Sequence, residues 1–155
     1  MTITFIPMNT DTVRALQAGE PDSYGHTPER RVSDGDGIPC RHCLNFVPEG
    51  EDYLVLAHRP FEALHPYTET GPIFLCAKPC EPGGGDSALP PVLYSPSYIL
   101  RGYDRDERII YGTGSVVAKD GITARANTLL AQEGIAFVHV RSASNNCYHC
   151  RIERA

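Results

Sequence analysis

Lysine is nearly missing from this chain: Lys78 and Lys119 are its only two, and the remaining positive charges are arginines. No run of Lys or Arg occurs anywhere, and 19 acidic against 14 basic side chains give a net charge of −5. A phosphate-backbone footprint needs clustered positive charge, so a nucleic-acid partner is not expected. Long apolar runs are missing too. No stretch approaches the roughly 20 consecutive apolar residues of a membrane helix, so no membrane partner is expected either. Residues 1–8 are apolar for only a few positions, Asp11 follows, and no positive leader precedes them. Without a signal peptide, a cytoplasmic location is the expectation.

What is present suits a globular domain. Apolar residues make up 41% and charged residues 21% of a 155-residue chain, enough for one ordinary core and too little for two. A single domain over residues 1–155, without internal repeats, is expected. Arginine rather than lysine favours fixed, bidentate pairing with carboxylates or phosphates, which keeps a small anionic ligand in view.

Periodicity gives mostly strands. Residues 2–6 alternate and end at Pro7, and a short helix capped by Asn9 or Thr10 carries Val13 and Leu16 up to Gly19. Residues 20–39 are turn-rich. Strands are predicted over 53–58 and 72–76, a hairpin over 97–103 and 108–117, and a final pair over 135–140 and 147–153. Between Asp120 and Glu133 lies the clearest helix, with Ile122, Ala126, Leu129 and Leu130 on one stripe. Too few helices separate the strands for a parallel sheet. The expected fold class is α+β: a single, mostly antiparallel sheet with the 120–133 helix packed on a face and a short N-terminal helix.

The sharpest chemical signal is a repeated spacing. Cys40-Arg41-His42-Cys43 and Cys147-Tyr148-His149-Cys150 are both C-x-H-C. Two C-x2-C pairs are how four thiolates reach one tetrahedral zinc, so Cys40, Cys43, Cys147 and Cys150 form the candidate metal set. A set of Cys43, Cys147 and His149 is a variant. Against zinc, Leu44 and Arg151 stand where a glycine would ease each turn. Free cysteines also pack as small buried apolar groups, and that reading stays open beside zinc. A redox use is disfavoured, because no room exists for a helix starting at the motif before Pro48. Cys76 and Cys80, interrupted by Pro79, read as incidental, in a region whose continuation to Asp86 reads as exposed and mobile.

Other motifs are weaker. Gly112-Thr113-Gly114-Ser115-Val116 lacks both the closing glycine of a nucleophile elbow and a phosphate-loop lysine. His58, His65 and His139 read first as structural histidines. Around the last loop, Arg141, Asn145, Asn146 and Arg151 can cradle a carboxylate or phosphate, although Asn is also a turn former. Period two places Phe137, His139 and Arg141 on one strand face, with Cys147, His149 and Arg151 beside them. With Arg101 these give a candidate ligand set of Arg101, His139, Arg141, Asn145 and Arg151. The alternative to a binding module is an enzyme whose pocket is built from Arg101, His139, Arg141 and Cys147, acting on a small anionic substrate.

Several segments together carry a resemblance. Pro39-Cys40-Arg41-His42-Cys43-Leu44, Gly71-Pro72-Ile73-Phe74, Leu100-Arg101-Gly102-Tyr103, Val138-His139-Val140-Arg141 and Asn146-Cys147-Tyr148-His149-Cys150-Arg151-Ile152 occur in order. They resemble the bacterial proteins catalogued as domain of unknown function 1203, over a span from about Arg31 to Ala155. The resemblance implies a bacterial stand-alone domain. It transfers no catalytic role.

Overall fold

The computed structural model describes residues 2–155. The chain is mostly β, in two separate antiparallel sheets rather than the single sheet expected from sequence. Strands β1 (Ile3–Ile6), β5 (Ser97–Tyr103), β6 (Ser115–Ala118), β7 (Phe137–Ser142) and β8 (Tyr148–Arg154) form a five-stranded sheet in the order β1-β8-β7-β5-β6. Strands β2 (Glu29–Val32), β3 (Asp52–His58) and β4 (Gly71–Cys76) form a three-stranded meander of their own. Alternating side chains identify a strand and its buried face, but they carry nothing about which strands share hydrogen bonds. β2 falls within the stretch read as turns, because all four of its residues are exposed and no apolar alternation marks it.

Two small helices complete the chain, α1 (Thr10–Gln17) and α2 (Ile122–Leu130). Asn9 caps α1 by accepting from the Thr12 N–H at 3.1 Å, which satisfies one of the first-turn donors. α2 is shorter than the 120–133 expectation. A 3-10 turn over Lys119–Gly121 precedes it, and no side-chain cap bond forms at its start. Its predicted stripe holds: Ile122, Ala126, Leu129 and Leu130 are all buried. They pack with Ile3, Phe5, Leu100, Val138, Val140 and Ile152 into the core on one face of the larger sheet. Truncating a residue such as Leu129 to Ala there would cost about 2–5 kcal/mol.

A second core joins Val13 and Leu16 of α1 to Leu54, Leu56, Ile73 and Leu75 of the smaller sheet, with Cys40 and Cys76 among them. The hairpin expected over 97–117 is looser than its sequence suggests. β5 pairs with β6 only from Ser115 onward; before it a single antiparallel bridge joins Tyr103 to Ile109, and a turn follows with Gly112 at φ +91°. β7 and β8 pair antiparallel as expected, with a bulge after Val140.

Candidate metal centre and the β7–β8 face

Cys40 and Cys43 lie on a tight turn that the sequence alone argued against. The Leu44 N–H donates to the Cys40 carbonyl at 3.1 Å, and Leu44 itself takes the left-handed conformation, φ 55°, that glycine usually supplies. The side chain that makes this uncommon is not wasted, since Leu44 is buried in the main core. Glycine does appear, from the other side. Gly83 presses against the turn so closely that a Cβ there would sit 2.0 Å from the Cys43 carbonyl oxygen. Its N–H donates to the His42 carbonyl at 2.9 Å, and Gly85 donates to Phe5 at 2.8 Å. Residues 81–86 are largely exposed, yet their backbone is pinned across the turn and β1 rather than free.

Cys76 ends β4 and Cys80 follows Pro79, on a bend whose carbonyls are gripped by α1. Gln17 Nε2 donates to Cys76 O and Lys78 O, both at 2.9 Å, and Arg14 Nη2 donates to Cys80 O at 2.7 Å. The two bends face each other. Cys40 Sγ lies 3.9 Å from Cys80 Sγ, Cys43 Sγ lies 3.9 Å from Cys76 Sγ, and all four sulfurs fall within 4.8 Å of one another. Four sulfurs bound at about 2.3 Å to one tetrahedral ion stand about 3.8 Å apart. The observed spacing is therefore that of a mononuclear tetrathiolate site.

The surroundings favour negative sulfur. Cys40 Sγ receives backbone N–H groups from His42 at 3.4 Å and Cys76 at 3.3 Å. Hydrogen bonds from Cys43, then Cys76 and Cys80, hold the Cys40 thiol far below its ordinary range. Cys43 is lowered as well: Cys40 opposes its ionisation, while Cys76 and Cys80 favour it. Cys76 and Cys80 are pushed up by the hydrogen bonds they give to Cys40 and Cys43. Among the thiols, the lowering of Cys40 and Cys43 comes at the expense of Cys76 and Cys80; a bound divalent cation would favour the thiolate form of all four. His42 completes the shell. Its Nδ1 lies 3.2 Å from Cys80 Sγ and its Nε2 2.9 Å from Thr10 Oγ1. With the proton on Nδ1, the ring donates to sulfur and accepts from threonine, the arrangement by which outer partners fix a ligand.

The sequence-derived metal set is thus regrouped. Cys40 and Cys43 are joined by Cys76 and Cys80, not by Cys147 and Cys150. Cys150 faces α2 in the main core, its thiol pushed up to about 12 by burial. Cys147 precedes β8 and lines a cavity beside Arg141. The missed pair had a legible signal, because C-x3-C falls within the two-to-four spacing of zinc ligands.

The ligand set from sequence is divided. On β7, Phe137, His139 and Arg141 do share a face, but it is covered, with His139 at 0% exposure and Arg141 at 4%. The bulge pairs Arg141 with Tyr148 and Val140 with Cys150, leaving His149 as the extra residue. Tyr148 therefore joins His139, its ring centroid 4.8 Å away, while His149 turns to Tyr98. His139 is enclosed by Tyr103, Phe61, Phe137 and Tyr148, with neither ring nitrogen partnered, and burial holds it well below its ordinary pKa. Arg101 bonds Glu69 at 2.8 Å and the Tyr103 hydroxyl. Arg151 lies over the Phe137 ring at 3.7 Å and opens on a different depression. Arg141 and Asn145 line one cavity of about 160 Å³, with Cys147, between the start of β4 and the β7–β8 turn.

Fold and site together define a mostly β chain of two antiparallel sheets, with a four-cysteine cluster between the end of β4 and the turn that connects β2 to β3. The chain belongs to a protein family of unknown function, DUF1203, whose model matches residues 37–154. That span contains all four clustered cysteines. Neither curated proteins nor solved structures gave a match. Among the described residues, no helix is long and apolar enough to cross a membrane.

Proposed function

We propose that this chain binds one divalent metal ion, zinc by preference, through Cys40, Cys43, Cys76 and Cys80, and that the ion is structural. The observation that supports this reading is the sulfur geometry: four thiols from two separate bends, all within 4.8 Å. Soft thiolate ligands select zinc or a single iron over magnesium and calcium. A cluster of two or four irons would hold its cysteines further apart than this. Four protein sulfurs leave no open position for water or substrate, which is the mark of a structural rather than a catalytic zinc site. The role follows from where the bends sit. One precedes β3 and the other ends β4, so the ion staples the smaller sheet to the turn packed under β1.

Metal analysis of protein purified without chelator tests this. One zinc per chain is expected, with Cys76→Ser losing the metal and lowering Tm, and Cys147→Ser keeping both. Protein that is folded, metal-free and unchanged in Tm on adding zinc overturns the reading. One iron per chain keeps the site and corrects the metal.

A further inference from the structure

The cavity beside Arg141 is independent of the cysteine cluster and has a different chemistry. Its wall includes His58, Glu69, Thr70, Arg141, Asn145 and Cys147. Arg141 is 4% exposed, and only one of its nitrogens is partnered, Nη1 donating to the Asn146 carbonyl at 3.1 Å. Nε and Nη2 are buried without a hydrogen-bond partner. These two nitrogens form the side-on edge of a guanidinium, the edge that takes a carboxylate through two parallel bonds. A buried cation normally has an anionic partner supplied by the fold, since its desolvation is otherwise uncompensated. Here the fold supplies it only in part: Glu69 Oε2 forms an ion pair with Arg141 Nη1 at 3.7 Å without a hydrogen bond, and Oε1 is taken by Arg101 at 2.8 Å.

Charge decides the class of ligand. Arg101 and Arg141 against Glu69 leave one net positive charge. His58 adds none at neutral pH, because burial, then Arg41 and Arg59, push it down to about 4. One positive charge matches a monoanionic, planar group. A phosphate dianion would bring its second charge against Glu69. Size sets a bound as well. A water needs roughly 10–15 Å³ and the cavity offers about 160 Å³, so the space suits a ligand of several heavy atoms and excludes a dinucleotide. Asn145 and Thr70 add neutral polar groups that can orient the rest of such a ligand.

We infer that this cavity is a binding site for a small organic carboxylate, held by the Arg141 guanidinium and oriented by the β7–β8 turn. The inference does not depend on the metal: it concerns other residues, other chemistry and the opposite end of β4. Cys147 gives it an internal reporter, being half-buried in the wall.

The test uses the protein as purified, with its metal content unaltered. Propionate, succinate and inorganic phosphate are titrated at constant ionic strength while Tm and the rate of Cys147 alkylation, mapped by peptide mass spectrometry, are followed. A carboxylate is expected to raise Tm saturably and to slow Cys147 alkylation. Arg141→Lys keeps the charge but loses the fork, and should weaken binding about tenfold or more, the effect of losing one charge-assisted bond. If that variant does not fold, Asn145→Ala at the exposed turn serves instead, with weaker protection of Cys147 expected. Absence of protection by either carboxylate overturns the site. Equal protection in wild type and Arg141→Lys overturns the role of Arg141, and stronger binding of phosphate overturns the carboxylate assignment.

Discussion

Arg41 sits inside the first cysteine turn, yet its Nε donates to the backbone carbonyl of Tyr148, 107 residues further along the chain, at 2.8 Å. Nη1 donates to the Pro39 carbonyl, also at 2.8 Å, so one guanidinium clamps its own turn and the first residue of β8. Burial lowers its pKa to about 10, with the sulfurs of Cys147 and Cys40 acting in the other direction. It therefore stays charged at neutral pH. The Tyr148 carbonyl belongs to the bulge that sets which side chains face His139. One residue thus links the proposed metal turn, the larger sheet and the wall of the Arg141 cavity.

Arg41→Met should accordingly cost about 2–4 kcal/mol, because the buried Tyr148 carbonyl loses its donor, at about 1–3 kcal/mol, and the half-buried Pro39 carbonyl loses one at a smaller cost. Arg41→Lys should recover little of this, since one ammonium cannot reproduce the planar fork. Urea unfolding of the two variants measures it. Wild-type stability in Arg41→Met would mean that water replaces the guanidinium without penalty and that the clamp contributes nothing.

Gly83→Ala addresses the packing of the 81–86 segment. The added methyl would lie 2.0 Å from the Cys43 carbonyl oxygen and 3.0 Å from Leu44 Cβ, both atoms of the Cys40–Cys43 turn. Neither is the movable end of a long side chain, so backbone must shift, at about 1–3 kcal/mol. The shift displaces Cys43, and zinc retention against a competing chelator should weaken together with Tm. Gly134→Ala is the control. Its Cβ meets nothing within 4 Å, and it should change neither quantity.

How far the sequence carries these features differs from element to element. The α2 stripe and the alternation in β3 are legible because each buries one face, and burial writes its period into the chain; β7 alternates in sequence but is buried on both faces, so its polar His139 and Arg141 do not mark a solvated side. The division into two sheets is not, since pairing partners leave no periodic trace. Half of the sulfur cluster, Cys40 and Cys43, stands out by spacing. Cys76 and Cys80 were obscured by Pro79 and by a glycine-rich continuation that reads as mobile. Those glycines are there because backbone packs on backbone at Gly83 and Gly84. On β8, a single bulged residue defeats period-two reasoning: it sends His149 to Tyr98 and leaves Tyr148 against His139.

The buried histidines give a prediction with a definite sign. His139 lies well below its ordinary pKa through burial and the nearby Arg141, and His149 is pushed down to about 3 by burial and Arg41. Both folded values lie below the unfolded value of about 6.5. The unfolded chain therefore takes up protons that the folded chain refuses, and stability is whole above about pH 6.5 and falls as pH drops towards the folded values. Each such histidine contributes a slope of about 1.4 kcal/mol per pH unit within that window. Between about pH 7 and pH 5 the two together should remove several kcal/mol of stability. His139→Phe separates this effect from carboxylate and thiol titration. It keeps an aromatic ring among Tyr103, Phe137 and Tyr148, and it removes two buried nitrogens that have no partner. Its unfolding free energy, measured by urea titration across the same range, should fall less steeply than wild type by about one histidine's slope. Parallel pH profiles for the two proteins would show that His139 takes up its proton without unfolding, and that its enclosure admits charge.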